Sequence, residues 1–214
     1  MNTEKKRGRP SLETQFDVDE ILDSAIQVFA KKGYDGASLN DVARQAGVKN
    51  LSVLNYHFGN KEDIWKQAIT RLGKKLTDRL EQTSSVLQDV TGVQLMKAYM
   101  RQFIYFSAEH PDFHRMVALE MCARSDRTEW LVHTLLDPFH QVYEPMFNSP
   151  EFQESHLGQI PPANLSSFVI GAATTFFFQA SQMEVQYGID PFSPEEIEKH
   201  VDAVYQLFFP DLSG

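Results

Sequence analysis

The chain has 214 residues, 42% of them hydrophobic, and a formal net charge of −9. That length and apolar content suit one or two folded domains with a sizeable core and exclude a largely disordered chain. A single cysteine, Cys122, excludes an internal disulfide and fits a reducing, cytoplasmic setting.

The first element is a basic arm, KKRGRP at residues 5–10, with Glu4 as the one acid before Glu13. No apolar signal segment is visible there. From Met1 to Lys61 nine Lys/Arg face eight Asp/Glu, whereas from Glu62 to Gly214 eleven face twenty-one. The N-terminal quarter is therefore the part that tolerates a polyanion, and the rest repels one.

Helical spacing of apolar residues runs nearly throughout, which predicts an all-α protein. A first helix opens at the cap Asp17, with Glu20 at its third position, and carries an apolar stripe of Val18, Ile21, Leu22, Ala25, Ile26 and Phe29. Lys31 and Lys32 complement its C-terminal dipole, and Gly33 supplies a left-handed stop. A second helix, Leu39 to Gln45, starts from a Ser38/Asp41 capping box and is broken by Gly47. A third runs from the cap Asn50 to about His57, and a long fourth begins at Asn60 and Asp63 after Gly59. Further helices are expected at about 92–109, 112–123, 126–147, 163–187 and 194–209. Pro138 should kink or split the seventh, and residues 148–162 read as a loop. The apolar run Leu165 to Ala180 is shorter than a membrane span and reads as a buried helix, so no membrane partner is expected.

Two short helices across a glycine turn form a helix-turn-helix pattern, although an ordinary helical hairpin has the same spacing. ILDSAIQVFAKKGYDGASLNDVARQAGV (21–48) and LNYHFGNKEDIW (54–65) make the match specific. Residues 18 to 69 resemble the DNA-binding domain of the TetR/AcrR family of bacterial transcriptional regulators. The resemblance implies a three-helix DNA-binding domain at 15–61 behind the arm at 1–14. It also implies a larger ligand-binding and dimerisation domain at 62–214, about nine helices in all. In one place the chain departs from the family. Ten residues separate Val48 from the end of the Tyr-His-Phe motif, Lys49 to Phe58, where the family usually has nine. The extra residue falls either at Lys49, leaving Asn50 as cap and Leu54 in the core, or at His57.

On this resemblance the third helix enters a major groove. Asn50, Ser52 and Asn55 are its polar readers, and Lys49 precedes it. Tyr56 and His57 match the family's phosphate-contacting pair. Ser38 and Lys61, at helix N-termini, are placed for phosphate contact, and Arg44 for phosphate or base. Arg7-Gly8-Arg9-Pro10 resembles an AT-hook core, which assigns Arg7 and Arg9 to a minor groove.

In the body, Tyr99, Phe103, Glu120, Trp130, His133, Phe177 and Gln179 are the candidate ligand residues. Phe176, Phe177 and Phe178 are consecutive and fan over about 200° of helix, so one face cannot bury all three. With the family's habit of pairing its last two helices, this predicts a homodimer through Phe168, Ala172, Phe176, Gln179, Val201 and Tyr205. His110 and His114 have a metal-like spacing, but Pro111 between them sets His110 before the helix, and no metal, cofactor or enzymatic role is expected.

The implied function is a dimeric repressor released from a palindromic operator by a small-molecule effector. The alternatives are an activator or global regulator without an inducer, and a carrier with a non-functional DNA-binding head.

Overall fold

The computed structural model describes residues 17–123 and 125–210. The basic arm, with Arg7 and Arg9, lies outside the described residues. The described residues fold into helices joined by short connections. None of these helices is long and apolar enough to cross a membrane.

Helix α1 (Val18–Gly36) is capped by Asp17, whose carboxylate accepts from the Asp19 N–H at 2.9 Å. The expected stop at Gly33 is a kink instead. Gly33 takes φ 68° and ψ 172°, a conformation open to glycine alone at low cost, and one more turn follows. The kink returns the Tyr34 ring onto Phe29, centroids 6.0 Å apart, and edge-on to Trp65 at 5.8 Å. Helices α2 (Leu39–Gln45) and α3 (Leu51–Phe58) follow, then α4 (Lys61–Val86). At 1.5 Å per residue α4 is about 39 Å long. Its first half closes the N-terminal core with Ile64, Trp65, Ala68 and Ile69, and its second half enters the body through Leu72, Leu76 and Leu80. Arg71 ties it to α1 through Asp19, at 2.9 Å, and Asp23.

The body comprises α5 (Gly92–Glu109), α6 (Pro111–Ala123), α7 (Asp126–Leu131), α8 (Asp137–Phe147), α9 (Pro150–Glu154), α10 (Pro162–Phe178), α11 (Ala180–Gln182) and α12 (Pro194–Phe208). Helix α6 packs on α1, so the body grips the head through α6 as well as α4. A π-turn, Val132–Leu136, joins α7 to α8, with the Asp137 N–H bonded to Val132 O. Pro138 explains it. In a regular helix its ring would strike the carbonyl four residues back, and it has no N–H to donate. The wider turn removes the conflict.

Two expectations need correction. The loop at 148–162 contains α9, capped by the Ser149 side chain. The continuous helix expected at 163–187 breaks at Gln179, where the Arg115 guanidinium of α6 donates to the Phe178 carbonyl at 2.7 Å. A short α11 and a second π-turn, Met183–Tyr187, complete the stretch.

Two of the three phenylalanines pack within the chain. Phe177 is buried, and Phe176 stacks face to face on His200 of α12 with centroids 4.4 Å apart. His200 Nε2 donates to the Ala172 carbonyl at 2.9 Å, which fixes the tautomer. Val201, expected at a dimer surface, is fully buried in its own chain. Tyr205 is also directed inward, its hydroxyl donating to Lys97 O at 2.9 Å.

His114 lies among Phe103, Phe106 and Phe113, ring centroids 5.5, 5.9 and 5.2 Å away. Ser107 Oγ gives its proton to Phe103 O, so His114 Nε2 donates to Ser107 at 3.1 Å. Burial pulls this imidazole down from 6.5 to about 3. The unfolded chain binds that proton near pH 6.5 and the folded chain only near pH 3. Between those values the unfolded state carries more protons, so stability falls as pH falls. One such group contributes a slope of about 1.4 kcal/mol per pH unit. His114→Phe is expected to flatten urea-unfolding stability between pH 6 and 4 relative to the parent. An equal slope in both proteins would show that this imidazole titrates normally.

Candidate nucleic-acid interface

The interface is built from α2, α3 and the turn between them. Ser38 and Asp41 form a reciprocal capping box: the Ser38 N–H donates to Asp41 Oδ2 at 3.0 Å, and the Asp41 N–H donates to Ser38 Oγ at 3.2 Å. The Ser38 hydroxyl also donates to Asp41, at 2.7 Å. Both of its donors are thus engaged inside the domain. Asp41 accepts further from Lys32 at 2.6 Å and from Arg44. These bonds, the Lys32 ammonium first and the Ser38 hydroxyl second, hold its carboxyl well below the usual carboxylate range. The acid acts as a hub that orients two cations, and Arg44 remains mostly exposed. The Lys32 link was not legible, because it depends on how α1 crosses α2.

After α2 the chain turns at Gly47, where φ is 68° and the Val48 N–H bonds Ala43 O at 2.8 Å. Asn50 caps α3 by accepting from the Ser52 N–H at 3.0 Å. Leu54 and Phe58, one turn apart, are buried against the domain, behind the cap Asn50. The opposite face presents Ser52, Asn55, Tyr56 and His57 to solvent, preceded by exposed Lys49 and Asn50. Ser52, Asn55 and Tyr56 share one face, at spacings of three and four. Tyr56 is 86% exposed and touches only the His57 ring, edge-on at 5.1 Å. A large aromatic left in water beside three small polar side chains has no packing role to explain it.

Lys61 turns away from this surface. Its ammonium lies 4.4 Å from the Tyr34 ring centroid and 3.4 Å from Asp35 O. The α4 N-terminus is closed by an Asn60/Asp63 capping box, in which Asn60 Oδ1 accepts from the Glu62 and Asp63 N–H groups at 2.8 and 3.1 Å. Of the eleven DNA-contacting residues expected from the sequence, Lys49, Asn50, Ser52, Asn55, Tyr56 and His57 are exposed on or just before α3, and Arg44 is exposed on α2. Ser38 and Lys61 are engaged inside the domain.

The ligand candidates do not converge on one spot. Tyr99 and Phe177 are core residues, and Phe103 half-faces His114. Glu120 is buried and committed to Ser125 and Arg127. Trp130 packs on Trp65 at 5.6 Å. His133 and Gln179 are exposed, and His133 is bonded to Asp137 at 2.8 Å. An open cleft of about 440 Å³ lies elsewhere, between α4 and α8.

Residues 21–68 match the family described as bacterial regulatory proteins, tetR family. The biofilm operon icaADBC HTH-type negative transcriptional regulator IcaR of Staphylococcus epidermidis is 43% identical over 51 residues, covering 24% of this chain and 27% of that protein. IcaR of Staphylococcus aureus strain Newman is 45% identical over the same length and shares. The chain thus spans about a quarter of the length of these curated relatives. Two solved structures share the fold along nearly the whole chain. FadR from Bacillus subtilis, in complex with stearoyl-CoA, has a TM-score of 0.65 at 16% identity, covering 90% of this chain and 98% of that one. The fatty acid degradation regulator FadR from Bacillus halodurans has a TM-score of 0.66 at 17% identity, covering 90% and 97%. Over residues 21–68, which hold the helix-turn-helix, the chain is similar to the tetR family of bacterial regulatory proteins.

Proposed function

We propose that the protein is a transcriptional repressor that binds a palindromic operator as a homodimer and is released by a small-molecule effector. The observation that carries this reading is the α3 face. Four polar or aromatic side chains, Ser52, Asn55, Tyr56 and His57, stand in solvent on a helix held rigidly from behind by Leu54 and Phe58. Asn side chains there match the donor–acceptor edge of adenine, and Tyr56 with Arg44 suits the phosphate backbone. IcaR is named a negative regulator, which favours repression over activation. The FadR complex supports an effector site in a body of this fold.

A second copy fits the outer faces of α10 and α12. Phe168 is 54% and Leu207 70% exposed there, with Ile170 and Gly171 also open. Apolar side chains grouped on neighbouring helices favour self-association. Two α3 helices would then reach successive major grooves about 34 Å apart. An effector shifts this spacing only by binding one body conformation more tightly than the other, with α4 carrying the movement to the head.

Footprinting on the DNA flanking its gene tests the reading. A two-fold symmetric protected site, with affinity falling steeply as salt rises, is the expected result. A folded protein that protects no site at low salt rules the proposal out.

A further inference from the structure

The cleft between α4 and α8 has a chemistry of its own. Its α4 wall carries Thr77, Glu81, Ser84 and Ser85, and its α8 wall Pro138, Gln141 and Val142. The hydroxyl protons on the α4 wall are directed into the helix. Thr77 Oγ1 donates to Gly73 O at 3.1 Å, Ser84 Oγ to Leu80 O at 3.3 Å and Ser85 Oγ to Gln82 O at 2.8 Å. The Thr77 and Ser85 oxygens therefore meet the cleft as acceptors. Glu81 is the one acidic side chain in the lining, and it forms no ion pair among the described residues. Of the α4 cations, Lys74 is held by Asp78 at 2.6 Å and Arg79 by Glu109 at 2.7 Å. The floor joins the aromatic interior, because Ser84 bonds the Tyr99 hydroxyl, and Tyr99 meets Tyr143 edge-on at 5.3 Å.

A wall of acceptors around an unpaired carboxylate selects a ligand rich in N–H donors and positively charged. Pro138 and Val142 add an apolar side, which suits a methylene chain. The volume of about 440 Å³ lies in the range of small-molecule sites. An anionic ligand is disfavoured twice, by Glu81 and by the acidic composition of residues 62–214.

We propose that this cleft binds a primary-ammonium cation on an alkyl chain, with the ammonium on Glu81 and the chain along Val142 and Pro138. The inference rests on the effector-responsive reading above and names the class of effector.

Calorimetry on the full chain without DNA tests it. The probes are 1,8-diaminooctane, octanoate, and magnesium chloride at matched ionic strength. Expected is saturable binding of one diamine per chain. Glu81→Gln should weaken it about tenfold, as removal of a charge-assisted hydrogen bond does. Glu184→Gln, an exposed acid on the π-turn before Gly188, should leave it unchanged. Equal weakening in both variants, or equal heat from magnesium, would mean diffuse attraction to an acidic surface and overturn the proposal. Saturable binding of octanoate in place of the diamine would overturn it too. Glu81 is exposed, and a far-UV spectrum identical to that of the parent confirms that the variant is folded. Because no DNA is present, failure here leaves the footprinting result untouched.

Discussion

Replacing Asn55 and Tyr56 together by alanine is expected to weaken operator binding about a hundredfold, since each base-edge or phosphate contact contributes about 1–3 kcal/mol. The protein should melt within about 2 °C of the parent, because solvent-facing substitutions rarely change stability by more than about 0.5 kcal/mol. The two expectations separate binding from folding. Neither side chain lies in the core: Asn55 is exposed, and Tyr56 is 86% exposed with only the His57 ring beside it. The support of α3 comes from Leu54 and Phe58, which the variant keeps. The single variants should differ in kind. Losing Asn55 relaxes selectivity between operator and scrambled sequence, whereas losing Tyr56 lowers affinity for both alike. Fluorescence anisotropy against the two DNAs at two salt concentrations reads both effects. A folded double variant that keeps its operator affinity would remove α3 from the interface.

The second large effect is on stability. Arg127→Ala is expected to cost about 3 kcal/mol, because removing one partner of a buried ion pair strands the other charge. Glu120 is only 3% exposed, and Arg127 lies 3.0 Å from it. Without the guanidinium the carboxylate keeps one donor, the Ser125 hydroxyl. The same guanidinium covers the Tyr34 ring, 3.6 Å from its centroid, and approaches Trp65 at 5.9 Å. Tyr34 belongs to the head and Glu120 to α6, so this pair clamps head to body. In a chain of this size the melting temperature should fall by roughly 10 °C. Adding Glu120→Leu to Arg127→Met should recover most of that loss, since an apolar pair carries no stranded charge. Thermal unfolding of parent, single and double variants decides the matter. A single variant as stable as the parent would show that water reaches Glu120.

Helix starts were legible in the sequence because a cap is a local bond. Asp17, Ser38, Asn50 and Asn60 each satisfy N–H groups within three residues of themselves, so spacing alone identifies them. The same holds for the α3 register. Leu54 and Phe58 repeat at one helical turn, and the cap Asn50 precedes them. These local rules also delivered the all-α class and the solvent-facing residues of α3.

What the sequence could not determine depends on residues far apart in the chain. Phe176 stacks on His200, 24 positions later, a contact that helical spacing does not announce. Val201 carried the same helical spacing as an interface residue, yet its own core covers it. Glu120 read as a ligand group, and Arg127 and Tyr34 turned it into a clamp. The acceptor-lined cleft exists only because α8 lies against α4. Periodicity tells a side chain which face of its helix it occupies. Which helix meets that face is settled by packing the whole set, and only the tertiary structure decided it.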